Sequence, residues 1–318
     1  MNLLFISLVI SFFICVIISP VLIPYLRKLK FGQQILEDGP NWHKKKSGTP
    51  TMGGIAFIIA IALTISFIHL DLRGYIVFAF ALLCGVVGFV DDFIKVKLKR
   101  NKGFSAKQKT LCLILVIVTF VLLLRYFNLT DTKIFIPFFK FSFDLYYFYY
   151  PIVMVGIFYM VNSVNLTDGI DGLATSITST VLVFLTATMF IKGMVGLSLL
   201  SAASLGALIA FLIFNLHPAK VFMGDTGSLF LGALVTGICV STGDPLLIVI
   251  LGIVYVIESL SVVIQVASFK LFGRRVFKMS PIHHHFEMCG FSENKIVVLF
   301  SLTTLLFCVL GFIGTISF

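Results

Sequence analysis

Apolar runs of about 18 residues or more recur along the whole chain and are separated by short polar segments. A run of that length crosses a bilayer as a helix, because lipid leaves no partner for open backbone polar groups. The pattern predicts ten spans, at 3–26, 52–69, 74–90, 109–127, 149–164, 173–191, 196–214, 228–242, 245–267 and 296–317. The predicted fold class is therefore all-α, with residues 1–318 forming a single transmembrane domain.

Composition and charge add an orientation to this picture. Hydrophobic residues make up 59% of the chain and charged residues only 12%, about half the share in a soluble domain. An ordinary soluble globule, a disordered chain and a nucleic-acid binder with a large basic face are thereby excluded. If the first loop is cytoplasmic, all but five of the 24 lysines and arginines fall in inside loops, the five being Arg73, Arg125, Lys133, Lys140 and Lys192. The positive-inside rule then predicts that both termini lie outside.

One external segment has a different period. In residues 133–145 the run FKFSFDL alternates apolar and polar positions. A two-residue period is typical of a strand. The sequence therefore predicts a short β-hairpin or interfacial flap between the fourth and fifth spans.

The unusual polar residues gather in the inside loops. Within the spans, only Glu258 lies well inside, with Gln265 two helical turns later on the same face. A transporter is expected to carry ionisable residues near the bilayer midplane, beside interrupted helices. The pattern instead favours chemistry on a water-soluble substrate at the membrane surface.

Two inside loops combine carboxylates with features that favour metal or phosphate. Asp91 and Asp92 are adjacent at a helix end, where they repel each other unless a cation or hydrogen bonds stabilise them. Lys95, one turn later, is a simpler partner for Asp91. In the fourth loop, Gly224 and Asp225 open a helix and offer backbone N–H groups with one carboxylate.

The other three inside loops are polar in different ways. The first, WHKKKSGTPTMGG, has lysines that serve either as membrane anchors or as phosphate ligands. The third spaces four Asn and Asp residues by three, more than helix capping needs: Asn162, Asn165, Asp168 and Asp171. The fifth contains His283, His284 and His285, which as consecutive residues cannot share one helix face. These imidazoles are better placed to donate to phosphate oxygens than to form an all-histidine metal site.

Five motifs in order carry a family resemblance: HKKKSGTPTMGG, DDFIK, NLTDGIDGLA, FMGDTGSL and PIHHHFE. With its ten spans, the chain resembles the phospho-N-acetylmuramoyl-pentapeptide transferase family, within the polyprenyl-phosphate N-acetylhexosamine-1-phosphate transferases. The resemblance implies a reaction between UDP-N-acetylmuramoyl-pentapeptide and undecaprenyl phosphate that yields UMP and the first lipid-linked peptidoglycan precursor, lipid I. It also implies Mg²⁺ dependence, a homodimer, and a cytoplasm-facing cleft in the bacterial inner membrane.

The resemblance also implies roles for individual residues. Asp225 is the first choice as metal ligand, with Asp92 beside it. Asp91 is the candidate base or the residue that positions the lipid phosphate, and a covalent nucleophile remains the alternative. His283 completes the catalytic set. The substrate-binding set comprises Lys46, Thr51, Lys95, Lys107, Asn165, Asp168, Asp171, Asn215, Phe222, Gly224, His284 and His285.

Two other functions stay open at this point. A sister enzyme that transfers N-acetylglucosamine-1-phosphate to the same lipid would share the aspartate motifs, although PIHHHFE resembles the muramoyl branch. A divalent-cation or nucleotide-sugar transporter would use the aspartates and histidines as a vestibule. This sequence, however, lacks the series of acidic and basic residues at the bilayer midplane that such a transporter is expected to have.

Overall fold

A computed structural model describes residues 2–28, 48–98, 103–136, 138–139 and 141–316. These residues form a helical bundle with one small hairpin. The helices are α1 (Asn2–Lys28), α2 (Gly54–Phe67), α3 (Leu72–Lys97), α4 (Ala106–Tyr126), α5 (Tyr149–Thr167), α6 (Leu173–Ile191), α7 (Val195–Asn215), α8 (Gly224–Ser241), α9 (Leu247–Leu251), α10 (Ile253–Phe272), α11 (Ile282–Met288) and α12 (Glu293–Ile316).

The predicted membrane architecture is confirmed by the described helices. Nine of them are long and apolar enough to cross a membrane, and α2 is a tenth apolar helix with 14 residues. The chain is therefore an all-α, multi-pass membrane protein. The predicted ninth span, 245–267, is not one continuous helix, because it breaks at Gly252 between α9 and α10. A Cβ at Gly252 would lie 2.7 Å from the carbonyl oxygen of Ile248, so a residue with a side chain would disturb this break.

Helix α8 lies in the centre of the bundle, and small residues let its neighbours approach it closely. A Cβ on Gly88 of α3 would lie 2.1 Å from the backbone oxygen of Asp225. A Cβ on Gly54 of α2 would lie 2.4 Å from the Cα of Gly227. Such backbone contacts between small residues are typical of helix packing in membranes. They bring the end of α3 and the beginnings of α2 and α8 to one place.

The predicted hairpin is also confirmed. Strand β1 (Lys133–Ile136) pairs antiparallel with β2 (Phe141–Asp144). Thr132 and the backbone N–H of Tyr146 donate to the Asp144 carboxylate, which lowers its pKa. At the hairpin tip the ring of Phe138 packs against Gly314 of α12.

Candidate active site

Three aspartates meet where α3 ends and α8 begins, and we call Asp91, Asp92 and Asp225 the carboxylate cluster. One oxygen from each lies within 4.8 Å of the others. Asp91 and Asp92 are each only 3% exposed. Buried carboxylates in such a group repel one another unless positive charge or hydrogen bonds compensate.

Two lysines supply that positive charge. Nζ of Lys95 lies 2.7 Å from Oδ2 of Asp91 and 2.8 Å from Oδ2 of Asp225. Nζ of Lys109 lies 2.9 Å from the same Asp225 oxygen. The predicted pairing of Lys95 with Asp91 is therefore confirmed, and the ammonium group also reaches the aspartate of a second helix. Carboxylate oxygens from α3 and α8 therefore share the ammonium group of Lys95.

Asp92 is attached to the first turn of α8. Its Oδ2 accepts hydrogen bonds from the backbone N–H of Thr226 at 2.9 Å and from the Thr226 hydroxyl at 2.8 Å. Gly224 makes room for this contact, since a Cβ there would lie 2.6 Å from Asp92 Oδ2 and 2.7 Å from Thr51 Oγ1. Gly224 also has φ +71°, a conformation that glycine adopts without strain. Thr51 and Gly224 thus border the carboxylate cluster.

Asp91 is attached to the beginning of α4. Its Oδ1 accepts a hydrogen bond of 2.6 Å from the backbone N–H of Phe104. Ser105 and Gln108 then form a capping box that starts α4. This start fixes the rotation of the helix and turns Lys109 towards Asp225.

The structure does not bring Lys107, chosen from the sequence for substrate binding, to the carboxylate cluster. Lys107 is exposed, and Lys109 is the lysine of this turn that reaches Asp225. Residues two apart on an α-helix point about 200° apart, so Lys107 and Lys109 cannot face the same cluster. Lys46, the other lysine chosen from the sequence outside α3, lies outside the described residues.

Asn165 and Asn215 are both engaged within the chain. The side-chain amide of Asn165 donates to Asp225 Oδ1 at 2.9 Å and to the Ser228 hydroxyl at 2.7 Å. Asn215 is buried, accepts a hydrogen bond from the Thr175 hydroxyl and donates to the backbone oxygen of Val221. Asn165 therefore orients a member of the cluster, and Asn215 supports the segment that leads to it.

Phe222 lies in that segment, two residues before Gly224. Its backbone N–H donates to the oxygen of Pro50 at 2.9 Å, and its own oxygen accepts from the N–H of Gly53 at 2.8 Å. The N–H of Gly54 donates to the oxygen of Met223 in the same way. These bonds join the first and fourth loops directly beside the carboxylate cluster.

Asp171 belongs to a second group of ligand-type atoms, formed with His217 and Glu293. Its Oδ2 lies 2.9 Å from Nδ1 of His217 and accepts a hydrogen bond from the N–H of Ala219 at 3.0 Å. The N–H of Asp171 donates to Oε2 of Glu293, at the start of α12. Asp171 thus connects the turn after α5 with the segment of His217 and Ala219 and with the start of α12.

Asp168 lies just beyond the end of α5, three residues from Asn165. Burial, together with the negative charges of Asp225, Asp92 and Asp171, raises the pKa of its carboxyl well above the usual value. Asp168 thus shares the negative potential of the cluster, and it lies three residues after Asn165, whose amide contacts Asp225.

The three histidines of α11 have three different surroundings, as the spacing predicts. His283 is fully buried, and its Nδ1 lies 2.9 Å from Oε2 of Glu258. Nδ1 of His284 lies 2.6 Å from Oε2 of Glu287. Nδ1 of His285 accepts a hydrogen bond of 3.2 Å from the backbone N–H of Lys278. The three rings do not converge on one ion.

The structure brings together seven of the residues chosen from the sequence: Thr51, Asp91, Asp92, Lys95, Asn165, Gly224 and Asp225. Sequence reasoning missed Lys109, Thr226 and Ser228 at the cluster, and His217 and Glu293 beside Asp171. For Lys109 there was a signal, because the capping box of Ser105 and Gln108 is readable from the sequence. No signal in the sequence indicated the partners of Asp171, since Glu293 lies in another loop.

The donor set of the cluster fits a hard divalent cation. Mg²⁺ prefers carboxylate oxygens and usually takes one or two of them together with substrate phosphates. Asp91, Asp92 and Asp225 offer such oxygens from two helices. The ammonium group of Lys95, which contacts two of these carboxylates and lies 3.8 Å from the third, demonstrates that a cation is accommodated among them.

Comparisons with known proteins identify the family of the chain. Residues 74–243 match glycosyl transferase family 4, and residues 46–58 match signature 1 of phospho-N-acetylmuramoyl-pentapeptide-transferase. The enzyme of that name from Clostridium botulinum strain Eklund 17B is 47% identical over 312 residues, covering 97% of this chain and 95% of the relative. Its counterpart from Halalkalibacterium halodurans is 46% identical over 313 residues, covering 97% and 96%. The one from Caldanaerobacter subterraneus subsp. tengcongensis is 48% identical over 297 residues, covering 93% of each.

Proposed function

The chain belongs to the phospho-N-acetylmuramoyl-pentapeptide-transferases of glycosyl transferase family 4, and on this basis we propose that it forms lipid I. In this reaction an oxygen of undecaprenyl phosphate attacks the sugar-linked phosphorus of UDP-N-acetylmuramoyl-pentapeptide. The bond from that phosphorus to UMP breaks, and UMP leaves. The observation that carries the proposal is the carboxylate cluster with its two lysines, inside the region that matches the family.

We assign Mg²⁺ to the carboxylate cluster, with Asp225 and Asp92 as its ligands. The bound ion would neutralise charge on the pyrophosphate as its bond to UMP breaks. The contacts of Asp92 with Thr226 and of Asp225 with Asn165 support this assignment, because they hold both carboxylates in fixed orientations. Lys95 and Lys109 are then available to bind phosphate oxygens of either substrate.

Asp91 is proposed to position the attacking lipid phosphate and to accept its proton where one is present. A phosphate monoester has a second pKa near 6, so most of the acceptor is already a dianion at neutral pH. A strong base is therefore unnecessary, and the hydrogen bond from Phe104 supports a positioning role. In the alternative, the Asp91 carboxylate attacks the sugar-linked phosphorus and UMP leaves, which predicts an enzyme-linked phospho-N-acetylmuramoyl-pentapeptide and one equivalent of UMP when the lipid is withheld.

The remaining sequence-derived residues are proposed to bind the nucleotide and the sugar. Phe222 would stack on uracil, a carboxylate such as Asp171 would accept the uracil N–H, and Lys46 and Thr51 would hold phosphates. His283, His284 and His285 would contact the sugar-phosphate or peptide side. The half-buried ring of Phe222 supports its assignment, because a stacking platform needs one open face.

Location and assembly follow from the same proposal. The site would face the cytoplasm in the bacterial inner membrane, with both termini on the other side. The concentration of lysine and arginine in the loops that carry the site supports this orientation. The active form would be a homodimer, which cross-linking in native membranes would test.

The experiment is release of UMP by the purified, lipid-supplemented protein, given UDP-N-acetylmuramoyl-pentapeptide, undecaprenyl phosphate and Mg²⁺, with and without EDTA. Metal-dependent UMP together with a butanol-extractable labelled lipid is the expected result. A parallel reaction offers UDP-N-acetylglucosamine, and preference for it would assign the protein to the sister activity. Uptake by sealed liposomes without UMP formation would instead assign it to transport.

A further inference from the structure

A buried pair of ionisable side chains joins helix α10 to helix α11. Oε2 of Glu258 lies 2.9 Å from Nδ1 of His283, and both side chains are 0% exposed. Burying a carboxylate is costly unless it is paired, and an ionisable residue within a membrane span usually has a functional role. Glu258 is such a residue, and none of the motifs of the carboxylate cluster includes it.

The contact decides which ring nitrogen of His283 is left for another partner. Nδ1 faces Glu258, so Nε2 faces the other way, towards Gly169. A Cβ on Gly169 would lie only 2.1 Å from Nε2. Gly169 follows Asp168 in the turn between α5 and α6, which borders the carboxylate cluster. Glu258 therefore aims His283 at the candidate active site.

Each partner also keeps one buried polar atom without a hydrogen bond. Among the described residues, neither Nε2 of His283 nor Oε1 of Glu258 has a partner. A buried polar atom left unpaired destabilises the folded protein. Other buried polar side chains of α10 are bonded: Tyr255 shares a hydrogen bond of 2.8 Å with Thr178, and Gln265 binds the backbone of Val276 and Phe277. Among the described side chains of α10, Glu258 thus alone has a buried polar atom without a partner.

We propose that Glu258 is a positioning residue for the transfer reaction, acting through His283. It fixes the imidazole with Nε2 towards the turn at Gly169, where Nε2 binds a phosphate or sugar oxygen of the nucleotide-sugar substrate. This inference rests on the proposed function. The physical logic is that of a carboxylate that fixes the orientation of an imidazole by binding one of its two nitrogens.

The first test is a kinetic double-mutant cycle with Glu258→Gln and His283→Gln, using the UMP-release assay. Glu258→Gln is expected to lower kcat about 10- to 100-fold, the range for lost orienting partners, with KM for the nucleotide sugar changed less than about 3-fold. In the His283→Gln background, Glu258→Gln should have no further effect. Tyr255→Phe, which removes a buried hydrogen bond one turn earlier on α10, is the matched control and should retain kcat.

The proposal is overturned if Glu258→Gln keeps the parental kcat, or if the effects of the two substitutions multiply in the double mutant. A second variant, Gly169→Ala, tests the same imidazole from the side of Nε2. It replaces Glu258→Gln if that variant does not fold. Gly169→Ala places a methyl group against Nε2, and it should lower kcat in the parent but not in the His283→Gln background. A folded Gly169→Ala protein with parental kcat also overturns the proposal. Parent protein that releases no UMP overturns the proposed function, and this inference with it.

Discussion

The side-chain amide of Asn165 on α5 holds the carboxylate of Asp225 on α8, with Nδ2 2.9 Å from Oδ1. The same nitrogen donates to the hydroxyl of Ser228, one turn further along α8. Asp225 is thereby oriented by a neutral donor on one oxygen and by lysines on the other. The oxygen that binds Asn165 cannot turn freely towards a different ligand.

Replacing Asn165 with Leu should weaken the affinity for magnesium and lower turnover. Leucine is close to asparagine in size but has no hydrogen to donate, so Asp225 loses the neutral donor that orients one of its oxygens. We expect the activation curve for Mg²⁺ to move to higher concentration by about 10-fold, equivalent to about 1.4 kcal/mol. Ser228→Ala, which leaves the bond between Asn165 and Asp225, is the control. An unchanged Mg²⁺ curve for Asn165→Leu would contradict this role.

Asp225→Asn should nearly abolish turnover in a protein that still folds. The substitution keeps the shape of the side chain but removes the charge that we assign to the metal, and losses of this kind reach about 100- to 1000-fold in kcat. UMP release at saturating Mg²⁺ measures the loss. Asp244→Asn is the matched control, because Asp244 pairs with Lys192 away from the carboxylate cluster. Near-normal activity of Asp225→Asn would remove this residue from the metal site.

Lys109 and Lys107 offer a matched pair on one turn of α4. Lys109→Met removes an ammonium group that lies 2.9 Å from Asp225, whereas Lys107 is exposed. We expect Lys109→Met to lower kcat/KM by at least about 10-fold, the low end for a hydrogen bond to a charged group. Lys107→Met should change it less than about 2-fold. Equal losses in the two variants would support the assignment of Lys107 to substrate binding and contradict the stronger role of Lys109.

Gly88→Ala should separate α3 from α8 and destabilise the protein. The added Cβ would lie 2.1 Å from the backbone oxygen of Asp225, which has no side-chain freedom to move away. Overpacking of this kind costs about 1–3 kcal/mol, and the displaced cluster should lose activity as well. Thermal unfolding in detergent checks the prediction. Gly156→Ala on α5 meets nothing within 4 Å and should keep the parental Tm. A stable, active Gly88→Ala protein would show that the helices adjust.

Phe222→Ala should weaken nucleotide binding by about 1–3 kcal/mol, the range for one base stacked on an aromatic ring. The backbone bonds of residue 222 to Pro50 and Gly53 do not depend on its side chain, so the loop should keep its position. The inhibition constant of UMP is the measurement. Phe190→Ala is the control, because Phe190 is an exposed residue near the C-terminal end of α6. A parental UMP constant in Phe222→Ala would place uracil elsewhere.

The architecture was predictable because membrane spans and the hairpin have local signals. Length and apolarity identify a span, and the alternation in FKFSFDL identified the hairpin at Lys133–Asp144. The convergence of Asp91, Asp92 and Asp225 was predictable too, since loops on one side of a bundle meet at one surface. The break at Gly252 was not, because a broken span and a continuous one have the same composition.

The partners within the site were the part that sequence could not supply. The family resemblance assigned Asn165 to the nucleotide pocket, and the structure shows that its amide is bonded to Asp225, 60 residues away in sequence. Asp171 meets Glu293 across 122 residues. Such contacts depend on how helices pack, and no local pattern records them. The distinction between Lys107 and Lys109 was local and readable, but it required the helix start to be fixed first.

The short helix α2 has a consequence for how a lipid substrate meets the site. Fourteen residues rise about 21 Å, roughly 9 Å less than the hydrocarbon thickness of a bilayer. The chain before α2 continues without helix through residues 50–53, and its open peptide groups are bonded to residues 222 and 223 instead of to water. Non-helical backbone at membrane depth is tolerated only where its polar groups are bonded within the protein or line a cavity, and the bonds to residues 222 and 223 meet that requirement beside the carboxylate cluster. We therefore expect the acceptor phosphate to reach the cluster, where it meets a donor that arrives from water, while its tail stays in the bilayer.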